Sequence, residues 1–181
     1  MLNRILAGVT DVDPDHLRIS GLTVHELEVL EKAGKQLEHL PLYIDYKACN
    51  TLSDIRSKVM LKSKKGECDF VILDYLHLLS SIRQKNETQE QVVGRNITAL
   101  KQLALDADCP MLVVSQVNRA SDQRVDKAHI PVMSDLRDSG TIEQVADCVF
   151  FVYRLERYGI VKDERTGEDL KGVGKLYIVK N

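Results

Sequence analysis

The chain has 181 residues, 44% apolar and 29% charged, with 25 Lys and Arg against 27 Asp and Glu. That balance excludes a disordered chain, which is poor in apolar residues, and a membrane protein, which needs long uncharged runs. A formal net charge of −2 gives no overall basic field to advertise nucleic acid, though a local basic loop is compatible with it.

Residues 1–8 carry apolar side chains at 2, 5 and 6, and Val9 continues that helical spacing. No N-cap residue precedes them, so we expect a further segment upstream. Residues 10–20 read as a polar linker around Pro14, making 1–22 a helix end and linker. Thr23-x-x-Glu26 is a capping box, and Val24, Leu27, Leu30 and Leu37 follow at helical spacing. Residues 40–46 (LPLYIDY) read as a strand, and Thr51-x-x-Asp54 opens another helix with Leu52, Ile55 and Val59 on one face. The run Phe70-Val71-Ile72-Leu73 has the pattern of a strand buried on both faces. A polar loop over 80–90 leads to Val93, Ile97, Leu100, Ala104 and Ala107, whose steps of 4, 3, 4 and 3 predict an amphipathic helix. Residues 111–115 and 148–153 read as two further buried strands, separated by a long polar segment over 116–132 and a short helix within 134–145. A charged stretch with Thr166-Gly167 at its tip leads to a final strand over 175–180. Strands that alternate with helices and are apolar throughout indicate one α/β domain with a mostly parallel sheet.

The longest mainly apolar stretch, residues 109–118, is ten residues long, against the ~20 needed to span a bilayer. The N-terminus lacks the basic segment, apolar core and cleavage pattern of a signal peptide. Cys49, Cys68, Cys109 and Cys148 are separated by 19, 41 and 39 residues, without a CxxC or a nearby His pair. Buried free thiols in a reducing compartment are therefore expected, rather than zinc ligands.

Ligands of parallel sheets bind at the carboxyl ends of the strands, which directs attention to Asp45, Asp74, Ser115-Gln116, Arg154 and Lys180-Asn181. A carboxylate closing a buried strand, as Asp74 does, can hold Mg²⁺ beside nucleotide phosphates. It can equally be an ordinary solvated strand end. Asp45 has the same setting in Leu42-Tyr43-Ile44-Asp45; periodicity does not choose between the two, and the longer apolar run before Asp74 gives it a weak preference. The neutral amide of Gln116 can sense a phosphate or position water, and Lys180 can reach a phosphate as a point charge. Each also has a plain reading as a polar strand end. No GxxxxGK[ST] is present: Val29 and Asp169 occupy the first-glycine positions before the two Gly-Lys pairs. GxGxxG and GxSxG are absent too. Tyr153-Arg154 and Arg157-Tyr158 interleave basic and aromatic residues, for which an amphipathic strand exit is the commoner cause than nucleic acid.

From Asp69 onward, however, the strings FVILDYLHLL, LVVSQVNRASDQRVDK, SDLRDSGTIEQVADCVFFVYR and KLYIVKN resemble the DnaB-type replicative DNA helicases, in family order. The block MSDLRDSGTIEQVAD is the most specific, and it separates this family from recombination-type RecA-like ATPases. RISGLT and LYIDY carry the likeness, more loosely, into the first 68 residues. The resemblance implies a RecA-like fold over 1–181, truncated on its N-terminal side. It also implies a ring-forming enzyme that couples ATP hydrolysis to movement on single-stranded DNA and to unwinding. Asp74 matches the Walker B aspartate that supports Mg²⁺, and Gln116 matches a glutamine that links γ-phosphate state to DNA-contacting loops. Lys180 matches a lysine that reaches the ATP of the neighbouring subunit. Arg137, Asp138 and Gly140 match a loop on the single-strand backbone, with Asp138 standing where Glu is usual. His77 replaces a common Gln, and no role passes to it.

By the same resemblance, the phosphate loop and catalytic glutamate lie upstream of Met1, the arginine finger lies just beyond Asn181, and primase is bound through regions outside the chain. The expected location is the cytoplasm. This chain alone is expected neither to bind ATP tightly nor to hydrolyse it. The alternative is a non-catalytic RecA-like interaction module that has lost its nucleotide site.

Overall fold

The computed structural model describes residues 2–13, 15–19, 21–46, 50–79, 86–117, 130–136 and 139–181. The chain divides into two compact units, Met1–Tyr46 and Lys47–Asn181.

The first unit is helical. α1 spans Leu2–Thr10, α2 His16–Ile19 and α3 Val24–Glu38. α3 starts where its capping box predicts: the Glu26 amide donates to Thr23 Oγ1 at 3.2 Å, and the Thr23 amide donates to Glu26 Oε2 at 2.7 Å. Two otherwise orphaned donors are thereby satisfied. α2 interrupts the expected linker, and His16 Nδ1 lies 2.8 Å from Glu26 Oε1. Ala7, Val12, Leu30 and Ala33 form the small buried set. The strand expected over 40–46 is not formed. Pro41 offers no N–H for a ladder, the Leu42 amide turns back to the Leu40 carbonyl at 2.7 Å, and Leu40, Leu42, Tyr43 and Tyr46 are exposed.

The second unit contains α4 (Leu52–Lys64), β1 (Val71–Leu73), α5 (Gln89–Ala107), β2 (Met111–Val113), α6 (Ser139–Val145), β3 (Val149–Tyr153) and β4 (Lys175–Lys180). Thr51 with Asp54 and Thr88 with Gln91 make capping boxes for α4 and α5. β1 and β2 are parallel, Val71 opposite Met111 and Leu73 opposite Val113. β3 and β4 are antiparallel, Phe151 opposite Tyr177.

α5 is the organising helix. Val93, Ile97, Leu100 and Ala107 are buried as predicted, and Leu103 joins them. One face of α5 meets Leu76, Leu136, Ile142, Val149 and Phe151 in the main core. Leu103 and Ala107 form a second cluster with Val59 and Cys109. Full burial of a side chain such as Leu100, 2% exposed, contributes roughly 1.5–3 kcal/mol.

The strands depart from the two-sided burial that their composition suggests. Val71 and Leu73 face the core, while Phe70 and Ile72 are 55% and 62% exposed. A strand alternates its faces, so an unbroken apolar run is buried throughout only if both faces are covered. In β3, Val149, Phe151 and Tyr153 are buried whereas Val152 is 73% exposed. Cys109 is buried and Cys68 half-buried, but Cys148 is exposed, contrary to expectation. It directly precedes the buried Val149, and neighbouring residues of an extended chain face opposite sides. Cys49 lies outside the described residues.

Among the described residues no helix is long and apolar enough to cross a membrane, and no group of three or more His, Cys, Asp and Glu is arranged to hold a metal ion.

Candidate nucleotide and nucleic-acid edge

β1 delivers Asp74 and β2 delivers Gln116 to the same, carboxyl edge of the parallel pair. The ladder continues past the strands there: the Val114 amide donates to the Leu73 carbonyl and the Leu76 amide to the Val114 carbonyl, both at 2.9 Å. Backbone on each side of Asp74 is thus pinned to β2, and the Asp74–Tyr75 peptide bond is cis. Both side chains are exposed. Asp74 makes no ion pair among the described residues, so its carboxylate is available to a cation. A single exposed carboxylate suits Mg²⁺, which keeps several waters and takes one or two carboxylates beside phosphates. Asp45, the other strand-end candidate, does not follow a strand at all. Ser115 Oγ, beside Gln116, is buried without a hydrogen-bond partner among the described residues.

The chain beyond Gln116 has a second anchor. Val117 forms an antiparallel bridge with Leu136, three residues before the start of α6, which contains Gly140. Leu136 is buried in the main core, and the Val132 amide donates to Asp135 Oδ2 at 2.8 Å. A residue next to Gln116 is therefore bonded to the residue before Arg137. Arg137 and Asp138 themselves lie outside the described residues.

Gly140 and Lys180 meet elsewhere. With Met133, Glu143, Gln144 and Val179 they line one open groove between α6 and the end of β4. Lys180 Nζ donates to the Glu143 carbonyl at 2.7 Å. The same neighbourhood holds Asp147 below the usual carboxylate range, first through the hydrogen bond from Lys101 at 2.5 Å, with Lys180 adding to it. α6 is set against α5 at Gly94, where an added Cβ would lie 2.9 Å from Thr141 Oγ1. Glycine is required there by close approach rather than by backbone angle.

Sequence reasoning missed the Val117–Leu136 bridge and the Glu143 carbonyl. Neither has a side-chain signature, because the bridge is backbone to backbone and the acceptor for Lys180 is a main-chain carbonyl. The interleaved basic and aromatic residues resolve as structure. Tyr153 stacks on Tyr158 at 5.7 Å between ring centroids and meets Tyr177 edge-on at 6.0 Å, while Arg154 pairs with Glu156 at 3.1 Å.

Comparison with known proteins agrees with this layout. The family model for the DnaB-like helicase C terminal domain matches residues 1–181. The replicative DNA helicase DnaB of Geobacillus stearothermophilus is 34% identical over 158 residues, covering 87% of this chain and 34% of that protein. That of Rickettsia prowazekii is 32% identical over 182 residues, covering 98% of this chain and 37% of that protein. The chain thus spans about a third of the length of these relatives. Among solved structures, one described as an ATPase domain superposes with a TM-score of 0.83 at 25% identity, covering 98% of this chain and 61% of that one. A DnaB-like replicative helicase, described with its interactions with primase, superposes at 0.79 and 24% identity, with 98% and 43% covered. The expected RecA-like α/β fold is thereby established, and the chain belongs to the DnaB-like helicase C-terminal domain family.

Proposed function

We propose that residues 1–181 form part of the motor of a ring-forming replicative helicase, which couples ATP hydrolysis to translocation on single-stranded DNA and to duplex unwinding. One observation carries this reading: Asp74 and Gln116 share the carboxyl edge of β1 and β2, and the Val117–Leu136 bridge ties that edge to the residue that precedes Arg137.

In this reading Asp74 supports Mg²⁺ at the nucleotide phosphates, where the bound cation neutralises charge on the transferring phosphoryl group. Gln116 senses the terminal phosphate, and the bridge passes its displacement to Leu136 and the loop beyond. Arg137, with the backbone around Asp138 and Gly140, holds DNA phosphates, contacts that position a strand without reading its sequence. Lys180 serves the nucleotide of a neighbouring subunit, exchanging the Glu143 carbonyl for a phosphate oxygen. Residues 1–181 contain no GxxxxGK[ST]. The phosphate grip therefore comes from residues outside this stretch, and the chain alone neither binds ATP tightly nor hydrolyses it. Primase is engaged through regions outside residues 1–181, and the assembly works in the cytoplasm.

The test is fluorescence anisotropy of labelled oligonucleotides with the 181-residue chain. Expected are weak affinity for single strands of any sequence, steep loss of affinity with salt, and a salt slope reduced by about one in Arg137→Ala. Tight, sequence-selective duplex binding would overturn the assignment of the loop.

A further inference from the structure

Cys68 and Cys109 are 41 residues apart in sequence, yet their sulfurs lie 3.7 Å from each other. Both are free thiols. Cys68 lies between α4 and β1, and Cys109 between α5 and β2, so the pair straddles the amino ends of the two parallel strands. The backbone beside them is already tied, the Val71 amide donating to the Pro110 carbonyl at 3.0 Å. Val59, Leu103 and Ala107 pack around Cys109, with Ile55, Met60, Val71 and Met111 at the margin. Two thiols held at that distance in fixed backbone need an approach of less than about 2 Å to reach bonding length.

We propose that Cys68 and Cys109 form an oxidation site that closes a disulfide across the amino ends of β1 and β2. Cys68 is half-exposed and Cys109 is 3% exposed, so a peroxide meets Cys68 first. The Cys68 sulfur attacks one peroxide oxygen and the O–O bond breaks. Cys68 becomes a sulfenic acid, and one water leaves. The Cys109 sulfur then attacks the Cys68 sulfur, giving up its proton as the hydroxide departs, and a second water leaves with formation of the S–S bond. Two thiols are oxidised by two electrons and one peroxide is reduced to two waters. Added dithiol reverses the reaction by exchange. Burial, followed by the hydrogen bond with Cys68, pushes the Cys109 thiol up to about 11. Cys109 thus remains protonated at neutral pH and acts second. The bond would brace the strand ends opposite Asp74 and Gln116, closing a loop over residues 68–109.

The test uses the 181-residue chain and a variant with Cys49→Ser and Cys148→Ser, each treated with hydrogen peroxide, alkylated, and digested without reduction for mass spectrometry. The expected result in both is a Cys68 peptide joined to a Cys109 peptide, released by dithiothreitol. The oxidised double variant should also unfold roughly 5–15 °C higher than its reduced form. Adding Cys68→Ala to that variant should remove both the linked peptide and the shift. Recovery of Cys68 and Cys109 as separately alkylated thiols, or of Cys68 as a sulfinic acid with Cys109 unlinked, would overturn the proposal.

Discussion

The two strand pairs of the second unit are built from similarly apolar segments, yet they present polar groups in opposite ways. β1 and β2 are parallel and three residues long, and the chain just beyond them carries the exposed Asp74 and Gln116, with main-chain bonds at Leu73, Val114 and Leu76. β3 and β4 are antiparallel and longer, packed on one face by Tyr153 and Tyr177, and their terminal Lys180 is already bonded to the Glu143 carbonyl. The parallel edge leaves Asp74 and Gln116 available to a ligand. The antiparallel pair offers a cation that must first be exchanged out of its own chain. In the proposed motor the two would divide the work: the parallel edge would meet the nucleotide of its own subunit, and Lys180 would engage only when a neighbour presents a phosphate.

The contrast can be broken outright at the helix that both pairs share. Leu100→Ala removes a fully buried side chain from the core holding Leu73, Val113 and Phe151. It should cost about 2–5 kcal/mol in denaturant unfolding, and amide exchange should accelerate in both pairs together. Loosening of one pair alone would show that they do not share a core.

A smaller change separates them. Gly94→Leu drives a side chain into Thr141 and should cost about 1–3 kcal/mol. Faster exchange should be confined to α6 and the β4 end, leaving β1 and β2 protected. Asp74→Ala should change stability by no more than about 0.5 kcal/mol, because the carboxylate is exposed and makes no ion pair among the described residues. A larger loss of stability would mean that Asp74 has a structural role.

The smallest effect lies in the first unit and serves as a control. His16 is raised above 6.5, chiefly by its hydrogen bond with Glu26, and Glu26 is lowered from 4.5 to about 2, chiefly by the Thr23 amide and then by His16. The His16 contribution is complete below pH 6.5 and fades as pH rises through the raised value. The Glu26 contribution is complete above pH 4.5 and fades as pH falls toward 2. Protection of α2 and α3 should therefore peak between these limits. Glu26→Gln, which keeps the capping geometry, should flatten the profile without altering either strand pair.

Much of this was legible in the sequence where one side chain carries the information. The Thr23 and Thr51 boxes marked helix starts, the α5 periodicity marked the core, and Asp74 and Gln116 were identified from their place after strands. The unformed strand at 40–46 and the open faces of Phe70 and Ile72 were not legible, because strand formation and two-sided burial depend on neighbours that a local pattern does not contain. Nor were the Val117–Leu136 bridge, the Glu143 carbonyl and the Cys68–Cys109 pair, since each depends on main-chain placement or on proximity across distant segments. Asp74 had only a weak local advantage over Asp45, its longer apolar run. Pairing with β2 distinguishes them.

The most direct test of the account replaces the matching third of the Geobacillus stearothermophilus helicase with residues 1–181 and measures magnesium-dependent ATP hydrolysis with and without single-stranded DNA. The account predicts DNA-stimulated hydrolysis by the chimaera, its loss by at least a hundredfold in Asp74→Ala with the folded state retained (about 2.7 kcal/mol), and no hydrolysis by the 181-residue chain alone. Undiminished hydrolysis in the Asp74→Ala chimaera would contradict it.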